Sequence, residues 1–559
     1  MTQMSGGEAL VFGLEKMGAK NLYGIMGTSV LGFFDALYAA QDKIHYISCR
    51  HEQVAASMAD VEGRLTGLPG IAIVHSGPGA LNALISVANA YKDCSPMILI
   101  TGAVKSRLKG TDGMLEAPHL EIFKPLVKGA YRVTSVEQIP TLLSTAYQTC
   151  LSGARGPVLI EVPEDIWREH ADIDTALFHF EVPPATAPTE DPVRTILAAL
   201  MTASRPLILA GYGVAYAGAS SDLLRFVETL NIPVVTTGNG RGVVSEDHPL
   251  SLGRLGFGGG SPVADAAFQK CDVLLTLGCG VSDMVTYEYS LATDADVHMI
   301  NLDPESTEKP VYVESHLCCD VGLALQTLNR LVAAENLPAK ASWSQHLDEA
   351  RASWQFLLQT AAEQLKSPLS PSYVFSKLDA MLSPQAITCG GAGMHVVYAN
   401  DYLKARGPHQ FLAAVNFGAM GFGMAAAMAA KQCLPAREVI AVLGDGEFMM
   451  ALQDLETVVR EKLAIKIFIV NDNSYRVLEF KQRLNYQGHV IGTQHKNPDF
   501  MKLADAFGLP GIRLDKPADV EAGIARALKQ SGPVLIEIVT DPEDLPPTNV
   551  DATIRMGQV

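Results

Sequence analysis

Residues 437–480 read REVIAVLGDGEFMMALQDLETVVREKLAIKIFIVNDNSYRVLEF. An apolar, β-branched run ends at Gly444-Asp445-Gly446, a longer stretch suited to a helix follows, and a second apolar run ends at Asn471-Asp472-Asn473-Ser474. Strand, turn, helix, strand is the repeating unit of a parallel sheet, because a parallel partner can be reached only by a crossover. The spacing predicts Asp445 and Asp472 at the carboxyl ends of neighbouring strands, where open α/β sheets hold their ligands. Gly444 and Gly446 would let backbone N–H groups approach a phosphate, and the helix start beside Glu447 adds a favourable dipole. Two aspartates are hard oxygen donors, which suits Mg²⁺ bridging two phosphates. GDG alone is also an ordinary surface turn; the second oxygen-rich turn strengthens it. There is no GxxxxGK[ST] run, which disfavours a P-loop NTPase.

The same alternation extends along the chain. GIAIVHS, SPMILITG, GPVLIEVP, RPLILAG, CDVLLTLG and a second GPVLIE at residues 532–537 are short apolar runs separated by amphipathic stretches. Runs of this kind suit strands buried on both faces of a parallel sheet, so the fold class is α/β. A length of 559 residues exceeds what one core usually supports and points to about three domains. Residues 181–192, EVPPATAPTEDP, carry four prolines in twelve positions and are predicted to be an extended linker. A second boundary falls between about 335 and 372. The domains expected are 1–180, 190–335 and 366–548, with parallel sheets flanked by helices. The repeated GPVLIE makes the first and third candidates for one architecture.

The composition is 48% hydrophobic and 18% charged, with 43 basic against 60 acidic residues and a formal charge of −17. No long run of either sign occurs, which argues against a nucleic-acid surface and for a small-molecule substrate. The N-terminus has no basic leader followed by an apolar core, and no stretch of eighteen apolar residues follows, so a cytoplasmic protein without membrane spans is expected. Nine cysteines without a CxxC pair or histidines at zinc spacing are read as reduced and mostly structural.

Two further stretches carry chemistry. In IHYISCRHEQVAASMADVEGRLTG, Arg50-His51-Glu52 stands where a strand gives way to a helix. By itself Glu52 is a helix-start carboxylate favoured by the dipole. VNFGAMGFGMAAAMAAK is rich in glycine and alanine; a methionine there ordinarily fills a close helix contact.

Taken together, GDG with its second turn, RHE, SGPG at Ser76 to Gly79, PMILITG at Pro96 to Gly102, HPL at His248 to Leu250 and the GAMG stretch resemble the thiamine-diphosphate enzymes over essentially the whole chain. Within them the likeness is greatest to the acetolactate synthases, whose catabolic members carry DNGY where this chain has DNSY. The resemblance implies thiamine diphosphate and Mg²⁺ as cofactors, with Asp445, Asp472 and the Ser474 carbonyl as metal ligands and Gly444, Gly446 and Glu447 in the diphosphate turn. It makes Glu52 the carboxyl that shares a proton with the aminopyrimidine. Gly418 would offer its carbonyl to that ring, with Met420 under the angle between the two rings. It also implies a homodimer or homotetramer with the active site between subunits.

The reaction implied is decarboxylation of a 2-oxo acid coupled to carbon–carbon bond formation. Two departures bear on it. Met114 and Leu115 in GTDGMLEAPHLEIF replace a Gln-containing pair, and His75 precedes SGPG where a threonine is usual. A similar histidine serves benzoylformate decarboxylases, so His75 is read either as a proton carrier or as a buried loop cap, and a simple decarboxylase is the alternative. An acyl-CoA lyase of the same superfamily is a third reading. A catalytically silent scaffold would be marked by loss of Glu52, Asp445 or Asp472, all of which are present. His119 is expected to be a solvated loop histidine. Val477 and Leu478 resemble an apolar substrate-facing pair. Gly211, Gly213 and Asp303 stand where a nucleotide could be held, yet CGVSDMVTYEYS lacks the arginine of FAD-binding synthases, so FAD is disfavoured.

Overall fold

The computed structural model describes residues 1–307 and 310–548. By packing the chain forms two compact units. One comprises residues 1–184, 416–436 and 449–464, and the other, among the described residues, 185–415, 437–448 and 465–548.

In the first unit, β1 (Thr2–Ser5) leads into β2 (Asn21–Gly24), β3 (His45–Ser48), β4 (Gly70–Val74), β5 (Met97–Ala103), β6 (Gly129–Arg132) and β7 (Pro157–Pro163), and β8 (His170–Ile173) closes the unit by pairing antiparallel with β1. Strands β2 to β7 form a parallel six-stranded sheet in the order β3-β2-β4-β5-β7-β6. The strands β4, β5 and β7 are buried along their whole length, as continuous apolar runs require when helices cover both faces. Ile71, Ile73, Ile98, Ile100, Val158 and Ile160 form one face of the core.

The second unit holds two sheets. β9 (Pro206–Ala210), β10 (Val234–Thr236), β11 (Ser251–Arg254), β12 (Val273–Leu277), β13 (Asp296–Ile300) and β14 (Ser315–Leu317) lie in the order β11-β10-β9-β12-β13-β14, a doubly wound arrangement. Alternate residues separate its two cores. Ile208, Ala210 and Leu275 pack on one side, and Leu207, Leu209 and Leu274 on the other. β15 (Ile387–Gly390), β16 (Phe411–Leu412), β17 (Val439–Gly444), β18 (Lys466–Asn471), β19 (Gly511–Leu514) and β20 (Val534–Val539) form the last sheet, in the order β16-β15-β17-β18-β20-β19.

That last order repeats the first sheet strand for strand, and the two GPVLIE segments supply the corresponding strands β7 and β20. In both sheets the chain reverses its direction of growth between the first strand and the third, β2 and β4 in one and β15 and β17 in the other. A crevice opens at the carboxyl ends of such a pair.

The linker expected at 181–192 is shorter than its prolines suggest. A helix begins at Glu190, and Pro192 lies in its first turn, where the missing N–H has no partner to lose. The region expected to separate the last two sheets carries a helix of its own, Asp348–Ala362, and Trp343 is buried in the central core with its indole N–H on the Pro206 carbonyl at 2.8 Å.

Candidate active site

Glu52 opens the helix Glu52–Thr66 directly after β3, and His51 caps it by accepting the Gln53 N–H at 3.1 Å. The Glu52 carboxylate accepts a bond from Asn82 Nδ2 at 3.0 Å. His75 follows β4, and the glycine at 79 brings the two together: a Cβ there would stand 3.1 Å from His75 Cβ and 3.2 Å from Glu52 Oε1. Burial pushes His75 below the ordinary imidazole value, against the opposing pull of Glu52 and Glu164. Gln53 Nε2 donates to the Met420 carbonyl at 2.7 Å, so the helix that starts at Glu52 also holds the GAMG segment. Gly418 has φ +70 and open space where a side chain would be.

That segment is anchored at its other end by a buried ionic network. Arg64 pairs with Asp60 at 2.7 Å and with Asp93 at 2.8 Å, and Asn416 Nδ2 reaches Asp93 Oδ1 at 2.6 Å. Removing one member of such a pair costs about 3–5 kcal/mol, because the other charge is left uncompensated.

His119 corrects the sequence reading. It is 1% exposed rather than solvated. Its Nε2 accepts the Gly77 N–H at 3.0 Å and its Nδ1 meets Glu161 at 2.9 Å, with Arg132 on the other Glu161 oxygen at 2.6 Å. Burial would raise Glu161, but His119 and Arg132 outweigh it and hold the carboxyl below its usual range. The periodicity of a loop gives no sign of this partner 42 residues on. Leu115, at φ +72, presents its carbonyl to Ser76 Oγ at 2.9 Å, whereas Met114 is 88% exposed. A cavity of about 430 Å³ beside this turn is lined by Ser76, His119, Arg132 and Glu161 with Lys109 and Glu116.

In the second unit Gly444 and Val470 are register partners on β17 and β18, so Asp445 and Asp472 leave adjacent strands at the same end of the sheet. Asp445 is buried. Its Oδ1 accepts the Gly446 N–H at 2.8 Å, and its Oδ2 accepts from His495 at 3.2 Å and Asn497 at 2.6 Å. Asp472 Oδ1 accepts from Ser474 N at 3.0 Å, and Oδ2 pairs with Arg476 at 2.9 Å. Burial raises Asp472 above the usual carboxylate range; the Arg476 bond draws it down and the neighbouring Asp445 charge pushes it further up. His495, Asn497 and Arg476 were not foreseen, since each carries a polar side chain typical of any loop or helix surface.

Glu447 Oε2 lies 2.8 Å from His395 Nε2, across the reversal point between β15 and β17. A side chain at Gly391 would fall inside the Glu447 carboxylate. Val477 leans on the core of the last sheet, while Leu478 is 53% exposed.

Three segments of the chain match descriptions of one family. Residues 4–122 match the thiamine pyrophosphate enzyme N-terminal TPP binding domain, 193–328 the central domain, and 391–538 the C-terminal TPP binding domain. A probable acetolactate synthase large subunit of Methanocaldococcus jannaschii is 33% identical over 99% of this chain and 96% of its own length. The chain belongs to the thiamine pyrophosphate enzyme family. Acetolactate synthase 1, chloroplastic, of Zea mays is 32% identical over 96% of this chain and 85% of its own. The acetolactate synthase isozyme 3 large subunit of Escherichia coli is 31% identical over 95% and 93%. The protein is thus a thiamine-diphosphate-dependent enzyme of carbon–carbon bond chemistry, acetolactate-synthase-like in sequence.

The donor set at the GDG turn fits the metal that a diphosphate requires. Asp445 Oδ1 and both Asp472 oxygens each accept one bond, so each keeps a lone pair. The Ser474 hydroxyl is committed to Glu479 at 2.5 Å. The bridge opposite Gln494 is made by the bonds Tyr475 N to Thr493 O and His495 N to Asn473 O, which leaves the Ser474 carbonyl unused by it. Two carboxylates and a carbonyl are hard donors suited to Mg²⁺. In the central sheet, by contrast, the space beside Gly211 and Gly213 is filled by Gly278 and Cys279. Among the described residues no helix is long and apolar enough to cross a membrane.

Proposed function

We propose that this chain decarboxylates a 2-oxo acid and joins the remaining acyl unit to a second carbonyl, using thiamine diphosphate and Mg²⁺ in the manner of an acetolactate synthase. The observation that carries the reading is the pairing of Asp445 and Asp472 at the ends of β17 and β18, with free lone pairs, in a chain that also sets Glu52 beside His75 and Gly79. When bound, the cofactor supplies an electron sink for cleavage next to a carbonyl. Asp445, Asp472 and the Ser474 carbonyl hold the metal, and Gly444, Gly446 and Glu447 line the diphosphate turn. Gly418 and Met420 orient the pyrimidine. Glu52 holds the proton that the aminopyrimidine must share. Leu115 and Leu478, with Met114 and Val477, frame a small aliphatic substrate.

The domains proposed are 1–180 for the pyrimidine, 190–335 as the central domain and 366–548 for diphosphate and metal. A cytoplasmic homodimer or homotetramer is proposed, with the two halves of each site contributed by different subunits. FAD is disfavoured in the central domain because CGVSDMVTYEYS, after β12, lacks the arginine of FAD-binding synthases.

A second reading, simple decarboxylation in the manner of a benzoylformate decarboxylase, is favoured by one observation: His75 stands beside Glu52. The test is to incubate the holoenzyme with pyruvate and, separately, benzoylformate, following carbon dioxide and identifying the organic product. Acetolactate from pyruvate is expected. An aldehyde from either acid would overturn the carboligase reading and favour the decarboxylase.

A further inference from the structure

Ser29 and His75 face each other across the reversal point of the first sheet, one following β2 and the other β4. The Ser29 hydroxyl lies 2.8 Å from His75 Nδ1 and accepts the Ser76 N–H at 3.0 Å. The Ser29 backbone N–H also points at Nδ1, at 3.4 Å. A backbone N–H can only donate, so a proton on Nδ1 would set two N–H groups head to head. Nδ1 is therefore the acceptor, and the Ser29 O–H is free to turn toward it.

Ser29 cannot drift to relieve a different arrangement. Its carbonyl accepts the Trp167 indole N–H at 2.8 Å, and Gly102 packs against its side chain so closely that a Cβ would collide with it. The imidazole lies over Gly27, where a Cβ would enter the ring. His75 Nε2 has no partner among the described residues and is not among the buried polar atoms left unsatisfied, so it reaches open space.

The geometry points to His75 as a neutral hydrogen-bond donor through Nε2–H, aimed at the substrate carbonyl oxygen, with Ser29 as the positioning residue that fixes this tautomer. The assignment rests on the reading that His75 meets the reacting 2-oxo acid. It removes the proton-carrier role, because an imidazolium would need the proton on Nδ1 that Ser29 N–H opposes. A donor that stays neutral polarises a carbonyl without delivering a proton, which suits carbon–carbon bond formation better than release of an aldehyde. His119, on the other side of the same turn, is a built-in contrast. Its Nε2 accepts the Gly77 N–H, so its proton belongs on Nδ1, toward Glu161.

The experiment is solid-state ¹⁵N NMR of the full chain without cofactor, with His75 assigned by difference from His75→Asn. At pH 7 the expected result is a pyridine-type signal at His75 Nδ1 and a pyrrole-type signal at Nε2, with His119 the reverse. Pyrrole-type signals at His75 Nδ1, or at both nitrogens, would overturn the proposal. With the holoenzyme, His75→Leu is expected to lower kcat about 10²–10³-fold, and His75→Gln, which keeps a donor, to recover about tenfold of that loss. If wild type shows the Nε2–H signature and His75→Leu is nevertheless as active as wild type, the reading that His75 meets the substrate falls and the tautomer stands.

Discussion

Replacing Glu52 by glutamine separates chemistry from folding at this position. The carboxylate is half-buried, and its bond from Asn82 Nδ2, at 3.0 Å, can be taken over by the amide oxygen. What the fold loses is a negative charge at the first residue of the helix Glu52–Thr66, worth about 0.3–1 kcal/mol. The bond from Gln53 to the Met420 carbonyl involves the neighbouring side chain and is untouched. Turnover is a different matter, since a carboxamide cannot share a proton, and removal of such a group costs about 10²–10⁴-fold. Urea unfolding of Glu52→Gln beside steady-state turnover of a 2-oxo acid is the assay, with thiamine diphosphate affinity measured alongside. The expected outcome is stability within about 1 kcal/mol of wild type, retained cofactor binding and a turnover loss of at least about 100-fold. Near-normal turnover would refute the proton-sharing role.

Two other substitutions follow from packing and titration. Gly391→Ala would force its methyl into the Glu447 carboxylate and is expected to lower stability by about 1–3 kcal/mol, read from the urea midpoint; an unchanged midpoint would show that Glu447 is not held where it is. Asp401 is pushed up to about 7 by burial, against the bonds from Thr548 and the charges of Arg241 and Arg254. The folded state therefore holds its proton in a window where the unfolded chain, with an ordinary value near 3.9, has lost it. Its contribution to stability is greatest at low pH and falls as pH rises toward 7. Asp401→Asn should therefore gain on wild type between pH 5 and pH 7; parallel stability curves would refute this.

Long parallel strands were legible because both faces are buried. All eight apolar runs singled out for this, from GIAIVHS to the second GPVLIE, are strands. Shorter strands such as β6, β11 and β14 were not, since half-buried residues such as Tyr131, Ser251 and His316 leave no continuous apolar run. The antiparallel pairing of β1 with β8 joins residues far apart in sequence, and nothing local announces it. At the site, the GDG turn could be located because it ends one apolar strand while a second oxygen-rich turn ends the next. His395, His495, Asn497 and Ser29 could not, because their roles depend on partners brought near only by the fold. His119 was misread for the same reason: its buried setting is made by Glu161 and Gly77, neither adjacent in the chain.

The most direct measurement is a calorimetric titration of the full chain with thiamine diphosphate, with Mg²⁺ and then with a chelator, for wild type and Asp445→Ala. The account requires tight binding of the cofactor to wild type in Mg²⁺, and its loss both on chelation and in the variant, while urea unfolding shows the variant still folded. Binding of equal strength with and without Mg²⁺, or in Asp445→Ala, would contradict a metal-bridged diphosphate site at the ends of β17 and β18.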